Sequence, residues 1–203
     1  MVTGMPLETP LETMPRRAAV AKLLAARDGA LVVTGLGSPS YDVHAASDHD
    51  SNYYLWGAMG AAALVGLGIA QAQPAKRVMV ITGDGEQLMA FGSLATIAVA
   101  APRNLDLIVL DNQHFGETGM QESHTGHGID IASVAAACGF AQTGLLRRLD
   151  EVDTLCETLR QAATGPRLFV LKITAENLPR SLPPRDATFI KNRFRAHLGL
   201  TTC

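Results

Sequence analysis

The sequence predicts an α/β fold in which a mostly parallel sheet is covered by helices on both faces. Two observations support this prediction. The predicted strands are unbroken apolar runs, which is typical of strands that are buried on both faces. These runs also alternate along the chain with segments that favour helices, as they do when helical crossovers join parallel strands. The clearest strands are residues 30–34, 77–82, 105–110 and 168–173.

The N-terminal half shows its elements through apolar spacing and through glycine or proline at their ends. The first helix carries Val20, Leu23 and Leu24 at helical spacing, and the first strand ends at a glycine turn. Polar residues 47–52 are expected to form a loop, and Pro102 ends the fourth helix. The helices predicted in this half are residues 15–27, 38–46, 57–71 and 87–101.

The C-terminal half continues the same alternation with weaker signals. Residues 111–128 are polar and glycine-containing, which predicts a long loop. Residues 140–145 form only a weak strand pattern. The helices predicted in this half are residues 129–138, 151–163 and 188–197. We therefore divide the chain into a flexible lead-in over residues 1–13, a domain over residues 14–178, and a basic C-terminal tail with a helix over residues 179–203.

Composition excludes several classes of protein. The chain has 203 residues, of which 47% are hydrophobic, which is enough for a folded core and argues against intrinsic disorder. A formal net charge of −2 gives no electrostatic reason to expect nucleic-acid or membrane-surface binding. The three cysteines are far apart, which argues against a disulfide framework, a zinc ribbon or an iron–sulfur cluster. The N-terminus has no signal-peptide pattern, so we expect a cytoplasmic protein.

Residues 55–72 are almost entirely apolar and come close to the length of a membrane span. They include four glycines and many alanines, and no basic cluster flanks them. Small residues of this kind let a helix pack closely on a sheet or on another subunit. We therefore expect a buried helix here, not a transmembrane one.

Three loops of unusual composition follow predicted strands, at residues 35–40, 83–86 and 111–119. Ligands of open parallel sheets bind beyond the carboxyl ends of the strands, which is where these loops lie. Gly83-Asp84-Gly85 ends a strand and opens a helix, and glycines in such a turn allow a phosphate to approach the backbone. Asp84 would repel that phosphate unless a hard dication such as Mg²⁺ lay between them. Asn112, one helix and one strand later, returns to the same sheet edge and adds an oxygen ligand.

Gly83-Asp84-Gly85, 25 intervening residues and then Asp111-Asn112 resemble the motif of the thiamine diphosphate enzymes. Within that family, the segment Gly57-Ala58-Met59-Gly60, the apolar helix after it, and Glu117-Thr118-Gly119 are similar to the beta subunit of sulfopyruvate decarboxylase and to the matching half of phosphonopyruvate decarboxylase. The resemblance covers most of the chain and implies the diphosphate-binding domain of the family. Two positions depart from the pattern: Asp111 replaces the first Asn, and Glu86 stands where Ser or Ala is common.

The resemblance implies a role for each matching position. Asp84 and Asn112 would bind Mg²⁺ through their side chains, and His114 would bind it through its carbonyl. The amides of Gly85 and Glu86, together with Ser38, would contact the diphosphate. The Gly57 carbonyl would hold the aminopyrimidine, and Met59 would support the bent cofactor. The full set expected to bind the cofactor is Ser38, Gly57, Met59, Gly83, Gly85, Glu86, Asn112, Phe115 and Gly116.

Three histidines are candidates for the catalytic pocket, because His44, His49 and His114 are expected on or beside loops at the predicted site edge. A solvated or capping role is an equally open alternative for each of them. His49 stands where the resemblance leads us to expect Arg, so a less charged or an aromatic 2-oxo acid is a plausible substrate. His124 and His127 lie three residues apart, but without a third ligand they do not predict zinc.

The resemblance implies a thiamine diphosphate-dependent 2-oxo acid decarboxylase that releases CO₂ and an aldehyde and uses Mg²⁺. Alternatives are a carboligase of the acetolactate synthase type and the beta chain of a 2-oxo acid oxidoreductase. In the family, the glutamate that activates the cofactor lies on a separate pyrimidine-binding domain, for which this chain has no segment. We therefore expect a pyrimidine-binding alpha subunit as partner, in an α2β2 or larger hetero-oligomer, and no nucleic-acid or membrane partner.

Overall fold

A computed structural model describes residues 12–201 of the chain. Its centre is a six-stranded, all-parallel sheet in the order β2-β1-β3-β4-β8-β7. The predicted fold class is confirmed. The strands of this sheet are β1 (Leu31–Thr34), β2 (Asn52–Tyr54), β3 (Val78–Gly83), β4 (Leu105–Asp111), β7 (Gln142–Leu146) and β8 (Arg167–Lys172).

Helices cover both faces of the sheet, because successive side chains of each buried strand point to opposite faces. In β4, Ile108 and Leu110 pack on one side, whereas Leu107 and Val109 pack on the other. The first layer is formed mainly by α1 and α7, and the second by α3, α5 and α6. The helices are α1 (Arg16–Ala25), α2 (Ser38–Ser47), α3 (Ala62–Ala72), α4 (Asp84–Met89), α5 (Ser93–Ala100), α6 (Ile131–Cys138), α7 (Glu151–Arg160) and α8 (Ala187–His197).

Between β1 and β3 the structure differs from the elements predicted from the sequence. Strand β2 was not predicted, and it pairs in parallel with β1 at the sheet edge. Its three residues are too few to show an apolar run. The helix predicted from residue 57 begins only at Ala62, since Ala58 and Gly60 have positive φ angles of 54° and 95°. Residues 57–61 therefore form a loop at the carboxyl edge.

The helix predicted over residues 87–101 is two helices. Helix α4 begins earlier, at Asp84, and the backbone leaves the helical conformation at Ala90. Helix α5 then starts after Gly92, and glycine has a low propensity for the interior of a helix. The predicted loop over residues 111–128 also has internal structure: an antiparallel hairpin of β5 (His114–Phe115) and β6 (Gln121–Glu122), followed by a 3-10 turn at His124–His127.

The basic C-terminal segment returns to the domain. Helix α8 buries Ile190 and Phe194, and the Phe194 ring packs edge-on against Tyr53 at 5.4 Å between centroids. Residues 12–13 are the only part of the predicted lead-in that the structure describes; residues 1–11 lie outside it. Among the helices of residues 12–201, none combines the length and apolar character needed to cross a bilayer.

Helix α3 packs on the sheet through glycine, and this contact gives a stability prediction. A Cβ on Gly66 would lie 2.2 Å from Cγ2 of Val80, whereas a Cβ on Gly68 would meet no atom within 4 Å. We expect Gly66→Ala to lower the free energy of unfolding by about 1–3 kcal/mol through overpacking. Gly68→Ala should leave it unchanged or raise it by up to about 1 kcal/mol, because alanine favours the helix. Urea denaturation measures both, and equal effects would contradict this account of the contact.

Candidate functional site

A cavity of about 130 Å³ lies at the carboxyl edge of the sheet, between the ends of β3 and β4 and the loops that follow β1 and β2. Its wall brings together most of the residues predicted from sequence. These are Ser38, Met59, Gly83, Asp84, Gly85, Glu86, Asn112, His114, Phe115 and Gly116. The remainder of the wall is mostly apolar and includes Leu36, Leu110 and Ile173. Polar groups at one side of an apolar cavity are typical of a small-molecule site.

Asp84 follows β3 directly as the first residue of α4, and it is 2% exposed. The hydroxyls of Ser123 and Thr125 both contact the same oxygen, Oδ2, with Thr125 at 3.2 Å. Among residues 12–201, no side-chain donor contacts Oδ1. Burial, together with the nearby charge of Asp111, raises the pKa of Asp84 to about 6. The Gly85 amide also donates to this carboxyl group. Among residues 12–201, no Lys, Arg or His side chain forms an ion pair with Asp84, so its charge has no cationic partner there.

A second buried carboxyl group lies beside it, at the end of the neighbouring strand β4. Asp111 is paired with Lys172, whose Nζ lies 2.5 Å from Oδ2. Its other oxygen accepts hydrogen bonds from the Thr125 hydroxyl at 2.7 Å and from the Gln113 amide at 2.9 Å. Thr125 therefore contacts both carboxyl groups with a single hydroxyl. Lys172 compensates the charge of Asp111 and leaves that of Asp84 uncompensated.

Asn112 and His114 follow directly and are held by local bonds. Oδ1 of Asn112 accepts the His114 amide at 3.0 Å, and the Asn112 carbonyl lies 2.7 Å from the His114 ring Nδ1. Between them, Gln113 adopts a positive φ of 62°, which turns the chain back into strand β5. Both residues line the cavity. The carbonyl-type oxygen of Asn112 can accept a further bond, since it has two lone pairs.

Glycines give the ligand room and bring the hairpin close. A Cβ on Gly83 would meet no atom within 4 Å, so the space above this residue of the cavity wall is open. A Cβ on Gly85 would lie 2.6 Å from the ring of Phe115, so the hairpin reaches the start of α4 only because residue 85 has no side chain. Gly83 therefore leaves space for a ligand, and Gly85 lets the hairpin with Phe115 pack against the start of α4.

This donor set fits a hard divalent cation with a diphosphate. Asp84 and Asn112 present carboxylate and amide oxygens at neighbouring strand ends, and oxygen is the ligand that Mg²⁺ prefers. Residues 12–201 contain no cluster of three or more His, Cys, Asp or Glu side chains that could enclose a metal by themselves. A cation here would thus take its remaining ligands from amide, backbone or ligand oxygens, as Mg²⁺ bound with phosphates does.

Glu86 behaves differently from the expectation drawn from the resemblance, in which only its amide had a role. Its side chain is 4% exposed and turns toward two loops. One carboxyl oxygen accepts the Leu36 amide at 3.0 Å, and the other accepts the Gly60 amide at 3.3 Å. Burial raises the pKa of this carboxyl group. The side chain is thus a bridge between the loops that carry Ser38 and Met59.

Two other predicted residues lie in or near the loop after β2. Met59 is 36% exposed and forms part of the cavity wall. Gly57 is exposed, and it is outside the wall although it lies only two residues away. The neighbouring Ala58 has a positive φ of 54°, so this loop holds a conformation that L-residues adopt at a cost. The structure gives Met59 a place at the cavity and gives Gly57 one beside it.

His44 and His49 are not brought to the cavity, contrary to the expectation that both would line it. His44 lies on the C-terminal half of α2, which runs away from the carboxyl edge, and its Nδ1 forms a 2.8 Å hydrogen bond with Ser181. His49 precedes β2 and therefore lies at the opposite, amino edge of the sheet, packed against His197 at 5.5 Å. The geometry gives neither of them contact with the cavity, whereas His114 lines it.

Sequence reasoning missed four residues that shape the site. Ser123 and Thr125 belong to a long polar loop, and no local pattern distinguishes their hydroxyls from others in it. Lys172 did carry a signal, because it ends an apolar strand at the same edge as Asp84 and Asp111. Arg16, at the start of α1, reaches the cavity wall and is paired with the fully buried Asp42.

The family is decided by comparison with known proteins. A family model described as "Thiamine pyrophosphate enzyme, C-terminal TPP binding domain" matches residues 37–173, which is most of the chain. The chain belongs to this family. The match spans α2 to the end of β8 and so contains Asp84, Asn112 and the loops around them.

Within the thiamine diphosphate enzymes, the chain is similar to proteins named as decarboxylases. The chain is 40% identical over 185 residues to a phosphonopyruvate decarboxylase of Streptomyces viridochromogenes, covering 89% of this chain and 45% of that protein. It is 36% identical to a sulfopyruvate decarboxylase subunit beta of Methanothermobacter thermautotrophicus, covering 89% of this chain and 94% of that subunit. The chain thus spans about half the length of the first relative and nearly all of the second.

Solved structures agree on the fold of this thiamine diphosphate-binding domain. Benzoylformate decarboxylase from Polynucleobacter necessarius superposes with a TM-score of 0.67 over 88% of this chain and 36% of that one, at 20% sequence identity. At this identity the likeness supports the architecture alone.

The Lys172–Asp111 ion pair gives a prediction about stability. Lys172→Met leaves a buried, unpaired carboxylate, so we expect the free energy of unfolding to fall by about 3–5 kcal/mol. The double variant Lys172→Met/Asp111→Asn removes that charge and should recover most of the loss. As a control, Lys22→Met breaks an exposed pair with Asp153 and should cost less than about 1 kcal/mol. Denaturant unfolding of the four proteins checks this, and a double variant no more stable than Lys172→Met would contradict it.

Proposed function

We propose that this chain holds the diphosphate and the Mg²⁺ of thiamine diphosphate in a two-subunit 2-oxo acid decarboxylase that releases CO₂ and an aldehyde. One observation carries the proposal. Asp84, with Oδ1 free of side-chain donors, lies beside Asn112 at the ends of neighbouring strands, in a cavity whose glycine wall is open. The family match and the names of the decarboxylase relatives support it.

In this proposal each residue of the site has a defined task. Asp84 and Asn112 hold Mg²⁺ through side-chain oxygens, and His114 holds it through its backbone carbonyl. Amides at Gly85 and Glu86, with Ser38, receive the diphosphate, while Met59 and Gly57 face the remainder of the cofactor. The buried side chains of Ser123 and Thr125 keep Oδ2 of Asp84 engaged, so that Oδ1 is the oxygen presented to the cation.

The bound cofactor supplies the carbon nucleophile and the electron sink that decarboxylation of a 2-oxo acid needs. The chain's own contribution is to bind, to orient and to exclude water. Leu36, Leu110 and Ile173 form an apolar wall beside the polar groups, which lowers the local dielectric and keeps water from the reacting centre. Arg16, which lies in the same wall, is paired with the buried Asp42, so it lines the cavity as part of an ion pair.

We also propose a partner subunit that binds the aminopyrimidine and carries the activating glutamate. The name "subunit beta" of the archaeal relatives implies that those proteins have a partner, and the phosphonopyruvate decarboxylase relative is about twice as long as the matched region. A surface for this partner is available on the exposed parts of α3, α4 and α5. Residues 57–75 and 87–102 contain no charged side chain. Leu64, Met89 and Val99 are exposed there, Val99 by 89%.

The partner hypothesis predicts how activity is distributed. The purified chain with Mg²⁺ and thiamine diphosphate should release no CO₂ from sulfopyruvate, phosphonopyruvate or an aromatic 2-oxo acid, because the group that activates the cofactor is on the partner. Adding a pyrimidine-binding subunit should produce CO₂ and the matching aldehyde in equal amounts. Robust release by the chain alone would contradict the two-subunit arrangement. A ligated product, or an acyl-CoA with a reduced electron carrier, would contradict the decarboxylase.

The metal-site hypothesis predicts the effect of a single isosteric change. Asp84→Asn removes the charge that attracts the cation, so affinity for thiamine diphosphate in the presence of Mg²⁺ should fall at least tenfold, or about 1.4 kcal/mol. Asp153→Asn, on the exposed face of α7, is the matched control and should bind as the unchanged protein does. Calorimetry with and without Mg²⁺ measures both. Equal binding by the Asp84 variant would refute the assignment.

A further inference from the structure

The two loops on either side of the cavity are joined by one side chain. Residues 35–37 lead into α2 and carry the chain to Ser38, and residues 57–61 lead into α3 and include Met59. The loops are far apart in sequence. The Glu86 carboxyl group lies between them, with Oε2 accepting the Leu36 amide at 3.0 Å and Oε1 accepting the Gly60 amide at 3.3 Å.

Each loop has a feature that makes room for this bridge. A Cβ on Gly35 would lie 1.6 Å from Oε2 of Glu86, so a side chain at residue 35 and the carboxyl group cannot occupy their places together. Gly60 has a φ of 95°, a conformation that glycine adopts without strain. A side chain there would also press on Ala90, which lies just after α4. Glycine at these two positions thus permits the bridge.

The bridge serves two backbone amides, that of the half-buried Leu36 and that of the buried Gly60. Within the described residues, the Leu36 and Gly60 amides make no hydrogen bond besides those to Glu86. A buried amide left unpaired is costly, so the carboxyl group determines where both loops can settle. Because Glu86 lies on α4, next to Gly85 and Asp84, it ties both loops to the element that carries the metal-binding carboxylate.

We propose that Glu86 is a positioning residue whose carboxyl group joins the loops at 35–37 and 57–61, and so sets Ser38 and Met59 at the distance from Asp84 that the cofactor requires. This inference rests on the proposed cofactor site and goes beyond it, since the family resemblance gives a role only to the amide at position 86. The side chain acts through the two loops and does not itself have to touch the cofactor.

Hydrogen exchange in the cofactor-free full chain tests the bridge directly. Glu86→Gln keeps the shape of the side chain but turns an N–H group toward one of the two amides, so at least one of them loses its acceptor. We expect NMR-detected exchange at Leu36, Gly60 or both to accelerate at least tenfold, while amides of the central strands β3 and β4 keep their protection. Gly35→Ala should produce the same local change from the opposite side, with the Glu86 side chain intact but displaced.

Cofactor binding provides the second readout. Affinity for thiamine diphosphate with Mg²⁺ should fall at least tenfold in Glu86→Gln and in Gly35→Ala. The matched control is Glu151→Gln, whose carboxyl group also accepts two backbone amides, those of Arg147 and Arg148 at 2.7 and 2.9 Å, at the start of α7. In Glu151 both amides share one oxygen, Oε2, which the glutamine carbonyl can replace. That variant should leave exchange at Leu36 and Gly60 unchanged and affinity within about twofold of the unchanged protein.

The outcomes are distinguishable. Faster exchange at the loop amides together with weaker binding supports the proposal. Unchanged exchange at Leu36 and Gly60, or faster exchange with unchanged affinity, overturns it. If the unchanged protein does not bind thiamine diphosphate with Mg²⁺, the proposed function is contradicted, independently of the bridge. If exchange at Leu36 and Gly60 is then also unchanged in Glu86→Gln and Gly35→Ala, the bridge is contradicted as well.

Discussion

The site depends on two buried carboxyl groups that meet at neighbouring strand ends. Asp84 and Asp111 are each 2% exposed and touch the same threonine hydroxyl, an arrangement that is unfavourable unless positive charge is supplied. Lys172 supplies it for Asp111, from the end of the next strand. Within residues 12–201, Asp84 has no such cationic partner, so its buried charge is left uncompensated by the chain, which is the basis of the metal site proposed above.

This arrangement also explains a departure from the family motif. With Asn at position 111, no compensating cation would be needed there, and Lys172 would be a buried charge without a partner. In this chain the negative charge of Asp111 is neutralised by the positive charge of Lys172. The Lys172–Asp111 ion pair therefore adds no net charge beside Asp84.

The remainder of the site consists of loops whose positions depend on contacts between loops and not only on the helices that they join. Gly85 lets Phe115 approach, and Gly35 lets Glu86 reach Leu36. The hydroxyl pair from residues 123 and 125 arrives by way of the β5–β6 hairpin, whose Gln113 carbonyl accepts the Ser123 amide at 2.7 Å. A small cavity thus contains groups from four loops, each fixed by a close contact at a glycine or by a buried hydrogen bond.

The sequence by itself determined the parallel α/β architecture, because uninterrupted apolar strands can be buried only between two helical layers. It also determined the site edge and the pair Asp84 and Asn112, since the carboxyl ends of parallel strands converge and the spacing between the two residues is set by one helix and one strand. Only the tertiary structure decided the partners of those residues. The Lys172–Asp111 pair, the hydroxyls on Asp84 and the two amides on Glu86 join residues 26 to 61 positions apart, and no local pattern encodes such contacts. His44 and His49 could not be placed from the sequence for the same reason. Helix α2 carries the chain from the carboxyl edge of the sheet to the amino edge within about ten residues, so a small error in the predicted helix moves a residue from one edge to the other.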